Sequence, residues 1–536
     1  MTTILDAPEQ QRLNAVVVGP LELLRVDTHP VPVERFRGWI DHMLGFFVSA
    51  PGGRRWILWA APVVALVAGA AASAVSVVIG AAAVGILAIA VLTWNHPPVA
   101  AYAMIAVGPV VVGFGRGQVL PLLRPNEAML FGLCAILGAR WLLYSRRIVF
   151  KLNRIDFCIG ALALFGFLTP ILLQLGRLRP VSGDDVFYSL VFLRIALLYG
   201  LVRHTIRTPG QVRTAIGFAL AAGSFLALVG VLDSTNFLGS AEKLNPYFPN
   251  DNAIIDDGRG AASIGNPIGF GVYQAICALL ALAMLLGGER PRRALAIPAV
   301  LCSLAVFGSG QIGPVVSFLV GLATLALLTK STRRLLAWSL PFILVASIIA
   351  VPLAQRRIEG LEGRQVPSAV REGIARIDGP DAGLAYFNSN PGSSWDVRLY
   401  NLQTFFIPEF DNPWNIVLGV SSQARLPSPR SNENFIWIES GHLWLFWSGG
   451  VPLFLAWFAL IGVGMVTSRR TMRTTVGPVG IAAGATFAVL MTVNVAQTFD
   501  PHMTLRGTAD ILYPLLALSA TGLVARQVSR PKEAVR

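Results

Sequence analysis

The feature that most constrains this chain is a succession of apolar runs, each about twenty residues long, that begins near residue 56 and resumes after every short polar break. A run of that length spans the hydrocarbon core of a bilayer as a helix. The runs fall near 56–73, 75–93, 98–115, 127–144, 155–175, 186–202, 214–232, 263–287, 294–310, 312–329 and 335–354. Beyond a long polar segment, 355–436, come an unusually long run at 437–467 and two more near 475–496 and 511–525. Composition agrees, since 54% of residues are hydrophobic and 13% are charged, against about 25% charged in soluble globular proteins. An ordinary soluble enzyme is excluded. The expected fold is an all-α polytopic membrane protein with about 14 transmembrane helices and a large, partly helical outer-face loop.

A net charge of +14 would suggest nucleic acid as the partner of a soluble protein, whereas in a membrane protein basic residues mark the cytoplasmic face. With both termini inside, the cytoplasmic segments hold 26 Lys+Arg against 9 Asp+Glu. The expected location is therefore the cytoplasmic (inner) membrane, with membrane lipids and no nucleic acid as partners. The same count decides the run at 437–467. Two crossings there would put Arg469, Arg470, Arg473 and the basic C-terminus outside, so one long crossing is expected, broken at Gly449-Gly450 just before Pro452. The resulting organisation is a cytoplasmic tail at 1–55 in which 33–47 reads either as an interfacial helix or as a partly ordered stretch, helices 1–11 over 56–354, and an extracytoplasmic cap loop at 355–436. Helices 12–14 follow over 437–525, and 526–536 is a cytoplasmic tail. The N-terminal tail has no apolar run of signal-peptide length, so it is expected to stay inside. Cys134, Cys158, Cys277 and Cys302 lie inside apolar runs without metal-ligand spacing and read as small buried hydrophobes.

Charges at membrane depth are costly and ask for a reason. Arg194 sits mid-run, either bonded to structure within the bundle or holding an anionic substrate. Arg259 precedes Gly265-Asn-Pro267, a glycine-rich start of a span whose backbone amides and helix dipole suit a phosphate; the alternative is a loop arginine paired with Asp256 or Asp257. Arg398 stands in a polar-aromatic stretch of the cap loop, where a plain surface role is the alternative. Glu439 and His442, three residues apart, share a face at an apolar boundary and are candidates for a general base and its orienting partner. His442 in an aromatic belt beside Trp444 and Trp447 is the alternative. Asp500-Pro-His502 receives no role. No nucleotide-binding or metal-binding motif appears, so neither a cofactor nor a metal is expected.

Taken in order, these features resemble the O-antigen ligase and polymerase superfamily, membrane glycosyltransferases that use polyprenyl-diphosphate-linked sugars. The matching residues are Leu123-Arg-Pro-Asn-Glu127, Arg259 ahead of Gly265-Asn-Pro267, and Phe307-Gly-Ser-Gly-Gln-Ile-Gly313. Arg398 comes next, then Asn415-Ile-Val-Leu-Gly-Val420, Glu439-Ser-Gly-His442 and Gly449-Gly-Val-Pro-Leu-Phe454. The resemblance covers about 120–525. It implies that Arg259 and Arg398, with Arg194 matched less closely, hold the diphosphate of a polyprenyl-linked glycan donor, and that Glu439 and His442 activate the hydroxyl of a glycan or lipid acceptor. The family commonly has an arginine where this chain reads Ser309-Gly-Gln311, a departure by which one donor contact is either replaced or lost. Glu439-Ser-Gly-His442 is nearer the polymerase-like pattern than the ligase one. A flippase or other secondary transporter of lipid-linked saccharides is the alternative from a different class, and an envelope-assembly scaffold a third.

Overall fold

The computed structural model describes residues 77–115, 123–144, 152–178, 180–235, 239, 243, 260–289, 291–329, 402–423, 425–427, 435–438 and 440–529. The chain divides into two units, Met1–Ala88 and Ile89–Arg536. The helices of the second unit are α1 (Val77–Asn95, which begins in the first), α2 (Pro98–Val111), α3 (Pro125–Tyr144), α4 (Arg154–Gly176), α5 (Gly183–Thr205) and α6 (Pro209–Ser234). Then come α7 (Pro267–Leu286), α8 (Arg292–Gly308), α9 (Ile312–Thr329), the short α10 (Pro413–Leu418), α11 (Gly441–Thr474), α12 (Pro478–Ala496) and α13 (Thr508–Ser529). Two three-residue strands, β1 (Arg425–Pro427) and β2 (Phe435–Trp437), pair antiparallel with Leu426 opposite Ile436. Among the described residues eight helices are long and apolar enough to cross a membrane. The expected runs at 56–73 and 335–354, the N-terminal tail, residues 355–401 of the cap loop and the tail beyond 529 lie outside the described residues.

Local chemistry fixes the helix starts. Asn153, Ser182 and Thr208 each close a capping box with the residue three positions on, which satisfies amides that the helix cannot bond internally. α7 is the central helix, with 94% of its apolar window buried. Its glycines allow close approach: a Cβ on Gly271 would stand 2.7 Å from Ser309 Oγ, and on the facing helix one on Gly321 would stand 2.2 Å from Thr492 Oγ1. Small residues at contacts are how helices associate in lipid, where no water drives them together. On the periphery Phe157, Leu164, Leu168, Leu172 and Leu175 of α4 are exposed, an apolar stripe suited to lipid tails.

The helix ends gather in two sets. In one, Arg203 lies 3.8 Å from Asp156, Arg213 pairs with Glu289 at 2.7 Å, and Tyr102 donates to Gln211 O. In the other, Gly260 N donates to Gly308 O, Asp233 accepts from Ala261 N and Ala262 N, and Gly441 N donates to Gln497 O. That is the arrangement helices take when they run alternately up and down.

α11 departs from expectation. The break does fall at Gly449 (φ −142°, ψ 18°) and Gly450 (φ 62°, ψ −159°). However, the rings of Phe446 and Phe454 lie 6.0 Å apart and those of His442 and Phe458 5.4 Å apart. A straight helix would separate residues eight and sixteen positions apart by about 12 and about 24 Å. Both pairs are centred on Gly450, so the chain reverses there. α11 is a hairpin with a short arm, 441–448, and a long arm, 451–474. At 1.5 Å per residue the short arm reaches only about 12 Å, so the long arm alone can cross. The expected broken crossing is corrected to a short arm folded back on a full crossing.

Candidate functional site

The second set of helix ends carries most of the motifs. The turn before α7 is interior: Ala262 (φ 46°) and Gly265 (φ 71°) bend it left-handed, Asp233 ties its amides, and Gly260 is held by Gly308 of the α8–α9 turn. Asn266 then caps α7 by accepting from Gly269 N at 2.9 Å. The glycines of this motif serve close packing. A Cβ on Gly260 would meet Gly230 O at 2.4 Å, and one on Gly269 would meet Arg506 O at 2.7 Å. Arg506 reaches the same turn with its guanidinium, 3.8 Å from where a Cβ on Gly265 would sit.

The segment between α12 and α13 connects this turn to α11. Its far end is fixed by Asp510, which accepts from Gly507 N at 3.0 Å and pairs with Arg194 at 2.9 Å; the two side chains are 3% and 1% exposed, Arg194 first. Arg194 thus has an internal partner, and a diphosphate contact from it would require that pair to open. Its role in the structure is to hold Asp510 and hence the turn bearing Arg506. At the near end Gln497 accepts from Met503 N at 2.9 Å and, through its backbone carbonyl, from Gly441 N. Gly441 must be small because the Gln497 carboxamide and Pro501 occupy its Cβ position, at 2.4 and 2.7 Å.

His442 stands in the first turn of α11, half-buried and stacked on Phe458 across the hairpin. Its Nε2 lies 3.3 Å from Asn494 O. A carbonyl can only accept, so Nε2 carries the proton and Nδ1 keeps the lone pair. Nδ1 is buried and has no hydrogen-bond partner among the described residues, which leaves it able to take a proton.

The hairpin apex holds the described part of the cap loop backbone to backbone. Val420 N donates to Trp447 O, a carbonyl at the point where the helix breaks, and a Cβ on Gly419 (φ 86°) would stand 2.8 Å from Ser448 C and Gly449 N. Arg177 donates to Asn415 Oδ1 at 2.7 Å and Ser422 to Asp185 at 3.1 Å, fastening the same stretch to the ends of α4 and α5.

Of the five residues singled out in the sequence, Arg194 and His442 are placed, and Arg259, Arg398 and Glu439 lie outside the described residues. Sequence reasoning passed over Gln497, His502, Arg506 and Asp510. Asp510 had a signal, an acid opening an apolar span in a chain with an unmatched arginine, Arg194, at membrane depth. His502 is fully buried, with both ring nitrogens lacking partners among the described residues, and burial pushes its pKa down to about 3. Unfolded, it would take a proton near 6.5. Stability is therefore expected to fall as pH drops from about 6.5 towards 3, and to be indifferent to this group above that window. Unfolding midpoints in detergent between about pH 7.5 and 5 should decline less steeply for His502→Phe than for wild type.

Among the described residues no cluster of His, Cys, Asp and Glu could hold a metal ion. The fold defines a multi-pass α-helical membrane protein. The chain matches no protein-family model and none of the curated proteins.

Proposed function

We propose that the protein is an outer-face membrane glycosyltransferase that polymerises, or transfers to an acceptor, oligosaccharides carried on a polyprenyl diphosphate. In this reading the chain crosses the inner membrane about fourteen times with both termini in the cytoplasm, as the run lengths and basic segments suggest. One observation carries it: two motifs far apart in sequence, Gly265-Asn-Pro267 and the turn of His442, both abut the single α12–α13 segment, through Arg506 and Gln497. A cation, Arg506, and an imidazole with a free lone pair, His442, are thus both held against one short stretch of backbone.

The chemistry asks for little else. A sugar on a diphosphate is already activated, so catalysis consists of neutralising the departing diphosphate and deprotonating the attacking hydroxyl. Arg259 and Arg398 supply bidentate contacts to the diphosphate, and Arg506 stands in for the arginine missing from Ser309-Gly-Gln311. His442 Nδ1 takes the proton of the acceptor hydroxyl, with Glu439 as its partner. The new glycosidic bond forms as the bond to the diphosphate breaks, and a single in-line displacement inverts the anomeric carbon. No metal is required, because arginines can carry the charge.

The test is turnover of the purified full chain with a polyprenyl-diphosphate oligosaccharide. Wild type should give longer or transferred glycan, and His442→Ala should lose about 10²–10⁴-fold in kcat. Absence of product from wild type, or full activity in both His442→Ala and Arg398→Ala, would overturn the reading. Flux of the lipid-linked saccharide in liposomes without bond formation would favour the flippase.

A further inference from the structure

The first turn of α11 and the α12–α13 segment share an unusual concentration of buried hydrogen-bonding atoms without partners. Gln497 and His502 are 0% exposed and Trp444 2%. Among the described residues Gln497 Nε2, both nitrogens of His502, Trp444 Nε1, His442 Nδ1 and Asn494 Oδ1 make no hydrogen bond. Gln497, Asn494 and His442 are knit into one place: Gln497 Nε2 lies 2.4 Å from the Cβ position of Gly441, Pro501 abuts the same point and leads directly into His502, and Asn494 O faces His442; Trp444 lies on another face of the turn, stacked on Phe192. The carboxamide of Gln497 is oriented by its oxygen accepting from Met503 N, so Nε2 is the end left over. A buried polar group without a partner costs about 1–3 kcal/mol, and native proteins leave few of them. Several on one turn indicate that something else completes them.

The donor set says what. It holds neutral amides and neutral imidazoles, both donors and acceptors. Asp510 is directed to Arg194 and Gly507, and Arg506 towards Gly265, so neither of these charges is among the unpartnered atoms. An uncharged ligand whose groups both donate and accept matches this set, which is the behaviour of hydroxyls.

We infer that His442, Asn494, Gln497 and His502 form a saccharide subsite, which binds the hydroxyls of the acceptor sugar and presents one of them to His442. This rests on the glycosyltransferase reading and specifies its acceptor side. His502 and Asn494 are binding residues here. Asn494→Leu removes no internal hydrogen bond of the side chain oxygen, and so reports on binding even where His502→Phe impairs folding.

The experiment is calorimetric titration of the purified full chain in detergent with the free, uncharged oligosaccharide released by mild acid from the polyprenyl-diphosphate donor, run beside the turnover assay. His502→Phe and Asn494→Leu are each expected to weaken saccharide binding at least about tenfold, or 1.4 kcal/mol, with Gly462→Ala, where a Cβ meets nothing within 4 Å, binding as wild type. No binding to wild type, or binding unchanged in a folded Asn494→Leu, overturns the subsite; the groups then hold water only. Turnover with variant-insensitive binding defeats the subsite alone. Variant-sensitive binding without turnover supports the subsite and defeats the glycosyltransferase reading alone.

Discussion

Asp510→Ala is expected to destabilise the detergent-solubilised protein by about 3–5 kcal/mol, because it leaves the guanidinium of Arg194 buried without its counter-charge. Both side chains are almost wholly buried and meet at 2.9 Å. The loss reaches further, since Asp510 also accepts from Gly507 N and so starts α13. Arg194→Met should cost a similar amount, whereas the double variant Arg194→Met/Asp510→Leu should recover much of it, since an apolar pair of similar volume avoids the desolvation of both charges. Unfolding in mixed micelles measures all three. A single variant as stable as wild type would mean that Arg194 is not a structural arginine, and would return it to the diphosphate candidates.

Gly450→Ala should be equally severe for a different reason. At φ 62° and ψ −159° its backbone lies in a region that is essentially restricted to glycine, at a cost of about 1–3 kcal/mol for any other residue. In addition, a Cβ there would stand 2.3 Å from Val417 O and 2.5 Å from Val417 C, and backbone atoms cannot swing aside as a side chain can. The expected outcome is release of the α10 stretch from the hairpin, read as new protease cleavage within 413–423 and a fall in unfolding midpoint. Gly462→Ala in the long arm of the same helix meets nothing within 4 Å and should be neutral or slightly stabilising. Equal effects from the two substitutions would show that the reversal at Gly450 does not hold the cap.

Periodicity and run length find the long helices among the described residues, because a bilayer imposes its thickness on every crossing. They also located the break in α11, since adjacent glycines before Pro452 cannot continue a helix cheaply. They did not reveal that the chain turns back there. That depends on Val417–Val420 reaching the apex, a contact that no local pattern encodes. Arg194 illustrates the same limit: its cost at depth was visible, but its partner lies 316 positions away on another helix. The glycine-rich start around Gly265-Asn-Pro267 reads from sequence as a phosphate site with available amides, whereas in the structure Gly260 and Gly269 make room for Gly230 and Arg506. Spacing alone cannot separate those two uses of glycine. Of the candidate site, the sequence located the turn of His442. Gln497 and His502 escaped because an amide and an imidazole between two spans look like an ordinary wet loop until their burial is known.

The α12–α13 segment is short and tied at both ends, by Asp510 to Gly507 and by Gln497 to Met503 and Gly441. Groups carried by such a bracket cannot move independently. If an anion that draws Arg506 towards the start of α7 shifts the surroundings of His442, then by reciprocity a ligand seated at His442 alters the affinity for that anion by the same factor. In the proposed reading, occupancy of one half of the site would thereby be felt at the other through a single piece of backbone.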